Sequence, residues 1–221
     1  MGRLSDGDRK RLEKLSTTNV SDAMDALGIK GSTYGIRPMW HTMEKIIGPA
    51  VTIKMMDSGA IKSKYHLGFR AIDEAEAGDV IVIDNAGKLD SSCWGGILAN
   101  GAKQKGLQGV VIDGACRDVD DYAQIGFNVY ARGAVVSTAR GRIQEEATNV
   151  TVRFGGIQVS PGDIVMGDLS GVVIIPRESL EAVIVRAEAL YQKEERMIEE
   201  IKKGHSLIEI DERFRYENML K

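Results

Sequence analysis

The sequence predicts an α/β fold: a sheet of parallel or mixed strands carrying helices, then a β-rich stretch and a long C-terminal helix. Three observations predict it. Between residues 78 and 131, strand-like and helix-like stretches alternate β, α, β, α, β. Between residues 150 and 175, four short β-branched runs are divided by glycine turns with no helix between them. From residue 177 to 203, Leu180, Val183, Ile184, Ala187, Leu190, Tyr191, Met197, Ile198 and Ile201 form an apolar stripe at helical spacing.

In chain order, residues 5–15 and 16–27 read as two helices with Ser5 and Thr17 as N-caps, the second stopped by Gly28. Residues 48–56 (GPAVTIKMM) have the β-branched content of a strand, 63–75 read as a helix, and 78–84 (GDVIVID) as a second strand. Residues 95–105 read as a helix, 109–112 as a strand, 118–124 as a helix and 128–131 as a strand. Short strands are expected at 150–154, 157–159, 164–166 and 172–175. AGDVIVIDNAG (77–87) echoes PGDIVMGDLSG (161–171), which reads as one turn problem solved twice. Gly204 ends the long helix, and the polar tail beyond it reads as reaching another subunit or, alternatively, as a frayed terminus.

Composition narrows the function classes. A chain of 221 residues with 43% hydrophobic content suits one domain, alone or with an appendage. A net charge of -3, with both signs mixed along the chain, gives no footprint for nucleic acid. Cys93 and Cys116 do not make a disulfide scaffold and read as packing residues. No secretory signal is read in residues 1–15 and there is no apolar run of eighteen. The expectation is a cytoplasmic protein with no membrane partner.

Chemistry concentrates in VVIDGACRD (110–118). Val110, Val111 and Ile112 are apolar without alternation, as in a strand buried on both faces. Charged residues at the end of such a strand, here Asp113, Arg117 and Asp118, sit where open α/β sheets bind ligands. Gly114 is expected to give the sharp turn that exposes them. Arg117 offers a planar fork for a carboxylate. Asp118 is a hard oxygen ligand suited to Mg²⁺ or Mn²⁺. The same residues also read as a surface ion pair with Asp118 capping the next helix. Upstream, CWGGILAN (93–100) enters a helix through two glycines, which leaves backbone N–H groups free for an anion. That start reads equally as a glycine-rich entry chosen for close packing. His66 is a possible site acid or a structural histidine, and Asp84 either lines the pocket or forms a turn. Trp94 and Tyr122 read as packing.

WGGILANGAKQKGLQGVVIDGACRD (94–118) resembles the core motif of the family that includes 4-hydroxy-4-methyl-2-oxoglutarate aldolase and the regulator of ribonuclease activity A. GPAVT (48–52), GDVIVID (78–84) and SPGDIVMGDLSGVVIIP (160–176) extend the similarity over most of residues 16–176. The resemblance implies an RraA-like swivelling β/β/α domain over residues 1–176, with residues 177–221 as an intersubunit helix and tail. It implies homotrimers or homohexamers with the site at the subunit interface. Carried over by position, Gly95, Gly96, Ile97 and Leu98 give backbone N–H groups to pyruvate, Arg117 binds substrate oxygens and Asp118 holds a divalent metal, Mg²⁺ or Mn²⁺. The implied activity is a metal-dependent class II aldolase and decarboxylase that releases pyruvate from a small α-keto acid, of the 4-hydroxy-4-methyl-2-oxoglutarate type or oxaloacetate. Gly96 departs from the pattern: the aldolases often carry a polar or acidic residue there, facing the metal's water shell. A glutamate from a neighbour's C-terminal region is also implied, with Glu194, Glu195, Glu199 and Glu200 as candidates. The motif offers no clear Schiff-base lysine, with Lys88 and Lys103 left open as alternatives. The alternative is a non-catalytic regulator that binds a ribonuclease. A methyltransferase of menaquinone synthesis, another family label, has no G-x-G-x-x-G support here.

Overall fold

The apolar runs of the middle chain become strands buried on both faces. In the computed structural model, which describes residues 2–41, 44–60 and 63–216, β2 (Ile46–Asp57), β3 (Val80–Asp84), β4 (Gly109–Cys116) and β5 (Asn128–Ala134) pair in parallel in that order. The short β1 (Arg37–Pro38) closes the β5 edge antiparallel. The rungs Ala50–Val80, Val80–Gly109 and Gly109–Asn128 align the strand starts. Their ends, and the loops that carry the chemistry, therefore share one edge.

β2 is long because it serves two neighbourhoods. Ile46 to Pro49 pair antiparallel with β9 (Ile164–Asp168), which forms a hairpin with β10 (Gly171–Ile175). Ile53 to Asp57 pair antiparallel with β6 (Ile143–Thr148). The hairpin β7 (Val152–Phe154) and β8 (Ile157–Val159) stands beside this sheet.

Side-chain alternation then sorts three cores. Ile81, Ile83, Val110 and Ile112 face α3 (Phe69–Glu74), α4 (Gly96–Gln104) and α5 (Val119–Ile125) through Ile72, Leu98, Ala99 and Tyr122. Val80, Val82, Val111 and Tyr130 face the other way, onto Phe154, Val165, Val172 and Ile174. The outer side of β9 and β10 is covered by α1 (Asp6–Glu13), α2 (Thr17–Ala26) and α6 (Leu180–Lys202), through Leu12, Met24, Val183, Ile184 and Leu190. The result is a mixed α/β fold with a long C-terminal helix. No helix among the described residues is long and apolar enough to cross a membrane.

Several boundaries differ from the sequence reading, each for a physical reason. Ser16, not Thr17, caps α2: its hydroxyl accepts from the Asn19 N–H, and the Asn19 side chain accepts from the Ser16 N–H. Thr17 is spent on Asp168, through its own N–H at 2.9 Å and its hydroxyl at 2.8 Å. The helix expected at 63–75 is only Phe69–Glu74, because left-handed Gly68 (φ 79°) starts it. β6 was not anticipated, since IQEEAT has little apolar alternation. The tail contains α7 (Leu207–Phe214), closed by a Ser206–Glu209 capping box; residues 217–221 lie outside the described residues. The echo is a shared turn. Gly78 and Gly162 stand at φ 94° and 91°, and the Asp79 and Asp163 carboxylates accept the N–H groups of Glu76 and Ser160.

Asp113 belongs to this framework. It is 5% exposed, accepts from Arg132 Nε on one oxygen and from the Gly155 N–H at 2.7 Å on the other. It ties β4 to β5 and to the β7–β8 turn. Asp113→Ala is expected to lower unfolding free energy by about 1–3 kcal/mol, because the buried Gly155 N–H loses its acceptor while part-exposed Arg132 regains water. Urea melts compared with the wild type check this.

Candidate functional site

Backbone hydrogen bonds sew the two halves of the site together. The segment before α4 runs beside the end of β4: Cys93 N–H donates to Ala115 O and Arg117 N–H to Trp94 O, both at 3.0 Å. On the far side, Val135 N–H donates to Cys116 O at 2.9 Å. The buried Tyr122 hydroxyl reaches back from α5 to the carbonyls of Arg117 and Trp94. Arg117 is thus fixed at both its N–H and its C=O, and its side chain leaves a rigid base.

Asp118 follows in the left-handed region at φ 60°, a conformation that aspartate tolerates better than most residues. There it does not cap its own helix. Its Oδ2 instead accepts the Gly96 N–H at 2.9 Å and lies 3.5 Å from Arg117 Nε. A Cβ on Gly95 would stand 2.7 Å from that Oδ2 and 3.2 Å from Arg117 Nε, so glycine at 95 makes room for both charged groups. With the Gly96 N–H taken and Ala99 bonded to Gly95 O, the N–H groups of Ile97 and Leu98 remain free at the α4 N-terminus.

These groups open onto one cleft of about 280 Å³, whose polar lining includes His66, Arg117, Asp118, Asp121 and Arg140. Trp94, Leu67 and Leu98 form its apolar wall. The Arg140 guanidinium has no carboxylate partner among the described residues. His66 lies in the loop before α3; its Nδ1 is 3.0 Å from Leu67 O and its ring lies against Phe69. An imidazole nitrogen facing a carbonyl carries the proton, which leaves Nε2 as the acceptor when the ring is neutral.

Other expected residues fall elsewhere. Asp113 does not join Arg117 and Asp118, because β4 runs on through Cys116 and buries it. Gly114 makes no sharp turn: it sits inside β4 at a register shift, where a Cβ would meet Asn85 Cβ at 2.8 Å. Asp84 forms a turn, accepting the N–H groups of Ala86 and Arg153. Trp94 and Tyr122 are buried packing residues. Both thiols are buried; burial pushes Cys116 up to about 11 and Cys93 upward as well, so neither is a ready nucleophile. Lys88 is paired with Asp57, and Lys103 donates to Gly126 O at 3.0 Å.

Among the C-terminal glutamates, Glu194 accepts from Asn19 at 2.7 Å and Glu200 holds Lys203 and Arg213. Glu195 and Glu199 are exposed, with no side-chain partner among the described residues. Sequence reasoning missed Asp121 and Arg140. Asp121 had a signal, since it lies one helical turn after Asp118. Arg140 had none, because only folding brings the 138–140 loop to the cleft.

Comparison with known proteins gives a family and a range of relatives. The family model RraA-like (Aldolase/RraA) matches residues 17–174. Protein DlpA of Legionella pneumophila is 32% identical over 208 residues, covering 94% of this chain and 34% of DlpA. The chain therefore spans about a third of that relative's length. A Halalkalibacterium halodurans protein with the provisional name 4-hydroxy-4-methyl-2-oxoglutarate aldolase is 32% identical over 177 residues, covering 78% of each chain. Among solved structures, Streptomyces coelicolor RraAS2, described as an unusual member of the RNase ES inhibitor RraA family, superposes with a TM-score of 0.79. It is 25% identical, over 88% of this chain and 97% of that one.

Proposed function

Because the chain belongs to the RraA-like family (Aldolase/RraA), we propose that its cleft releases pyruvate from a dicarboxylic α-keto acid, as a divalent-metal-dependent class II aldolase and decarboxylase. The observation that carries this reading is the convergence of Arg117, Asp118 and the free N–H groups of Ile97 and Leu98 on one cleft. The cleft suits a small ligand with an anionic group. The aldolase name of the Halalkalibacterium relative supports it.

The donor set fits a hard cation. Among the described residues no three His, Cys, Asp or Glu side chains gather as metal ligands. Mg²⁺ and Mn²⁺ commonly take only one or two protein carboxylates and leave the remaining positions to water and substrate. Asp118 Oδ1 has no hydrogen-bond partner among the described residues, while Oδ2 holds Gly96. A bound divalent metal would supply a Lewis acid for the keto oxygen.

The chain's own residues do the rest. Ile97 and Leu98 N–H groups receive the pyruvyl carboxylate, and Arg117 holds the substrate oxygens as charge builds on them. Arg140, whose guanidinium has no carboxylate partner among the described residues, takes the distal carboxylate. In aldol cleavage a base removes the C4-hydroxyl proton, the C3–C4 bond breaks toward C3, and pyruvate leaves as its enolate before C3 is protonated. His66 Nε2 is the acceptor in the cleft suited to that proton. Oxaloacetate reaches the same enolate by losing CO₂, with no hydroxyl proton to remove. His66→Gln is therefore expected to slow cleavage of 4-hydroxy-4-methyl-2-oxoglutarate by about 10²-fold or more while oxaloacetate decarboxylation persists. Parallel pyruvate assays check the split. Lys88 and Lys103, each bonded away from the cleft, support metal over Schiff-base chemistry.

The test is pyruvate release from both substrates with Mg²⁺ or Mn²⁺ and then with EDTA; turnover untouched by EDTA overturns the metal role. Homotrimers or hexamers belong to the same proposal, with Glu195 or Glu199 as the neighbour's contribution, since neither carboxylate has a partner among the described residues. The second reading, a regulator that binds a ribonuclease, draws on the likeness to RraAS2. Ribonuclease capture without keto-acid turnover selects it.

A further inference from the structure

We propose that Asp121 is a second metal-facing carboxylate of this cleft, and that glycine at position 96 is what admits it. The inference deepens the aldolase reading and rests on it. Asp121 lies on the first turn of α5, and its carboxylate leans over the first residue of α4. A Cβ on Gly96 would stand 2.4 Å from Asp121 Oδ2, 3.4 Å from its Cγ and 3.7 Å from Asp118 Cβ. The space that a side chain at 96 would fill is therefore filled by a carboxylate from the neighbouring helix, on the side of Gly96 that also meets Asp118 Cβ.

The charge pattern shows what that carboxylate faces. Asp121 has no side-chain hydrogen bond or ion pair among the described residues. Among the described residues Asp118 is only half satisfied, with Oδ2 on the Gly96 N–H and no partner at Oδ1. Arg117 Nε approaches Asp118 at 3.5 Å and pairs with no other carboxylate among the described residues. Two carboxylates line this cleft with one guanidinium near Asp118, which leaves negative charge that a dication can balance, and carboxylate oxygens open to water suit Mg²⁺ or Mn²⁺. The ordinary account of an acidic first-turn residue, compensation of the helix dipole, gives no reason for the carboxylate to occupy the space above Gly96.

Manganese affinity decides between the two, read as the loss of the free-ion EPR signal on titrating the full chain, without substrate. Asp121→Asn is expected to weaken Mn²⁺ binding by about 10–100-fold, with the metal-free melting temperature unchanged. Asp121 is exposed, so this variant folds. Gly96→Ala is expected to weaken binding in the same way, because its methyl displaces the carboxylate. Adding Asp121→Asn to it is expected to cost nothing further, since both changes remove one interaction. If Asp121→Asn binds Mn²⁺ like the wild type while Asp118→Asn does not, the Asp121 assignment falls and the proposed site stands. If the wild type fails to bind Mn²⁺, or Asp118→Asn binds it equally well, the metal reading falls and takes this inference with it.

Discussion

Replacing Arg117 with alanine is expected to lower kcat/KM for pyruvate release by about 10²–10³-fold, equivalent to about 2.7–4 kcal/mol of transition-state stabilisation. The size follows from what the guanidinium does. Its peptide is fixed at both ends, by Trp94 O on the N–H and by Tyr122 on the carbonyl, so the side chain meets the substrate from a preorganised base. The reaction gathers negative charge on the keto oxygen, and a charge-assisted donor there counts most at the transition state. The fold does not depend on that side chain: its one ion-pair contact is Asp118 at 3.5 Å, and it is 38% exposed. The melting temperature should therefore stay near that of the wild type. Arg117→Lys should recover little, because a point charge cannot reproduce the planar fork. Full activity in Arg117→Ala would remove the substrate anchor from the proposal.

The division between what the sequence revealed and what it concealed has a physical basis. Strands β3 and β4 were legible because burial on both faces forces an unbroken apolar run, and the stripe of α6 because one face must cover the β9–β10 sheet. β6 was illegible: an edge strand needs no apolar alternation when the ladder on β2 holds it. The site divided likewise. Arg117 and Asp118 were visible as charges ending an unbroken apolar run, and the entry to α4 by its paired glycines, while the Gly96–Asp118 bond that joins the two halves belongs to the fold. Asp113 misled because a buried, paired aspartate looks the same in sequence as a functional one; only Arg132 and Gly155 reveal its role. Arg140 needed the tertiary structure, whereas Asp121 stood one helical turn after Asp118 and went unread. The glutamates were equivalent on paper, and Asn19 and Arg213 separated them by engaging Glu194 and Glu200.

Asp118→Ala is expected to abolish metal-stimulated pyruvate release and, unlike the Arg117 variant, to lower stability as well. Two structural jobs are lost together with the proposed metal ligand. Alanine in the left-handed region costs about 1–2 kcal/mol, and residue 118 stands at φ 60°. The Gly96 N–H also loses the acceptor that caps α4 at 2.9 Å, worth about 0.5–2 kcal/mol. Asp118→Asn separates these roles from the chemical one. Asparagine tolerates the same backbone region, and its side-chain oxygen still accepts from Gly96, but it brings no negative charge. This variant should therefore melt close to the wild type while losing metal-dependent turnover. The pair is decisive when read together. Equal loss of activity in both, with a lowered melting temperature only in the alanine variant, assigns the activity to the charge. Activity retained by asparagine assigns it to the cap, and the aspartate would then be a positioning residue for α4, not a metal ligand.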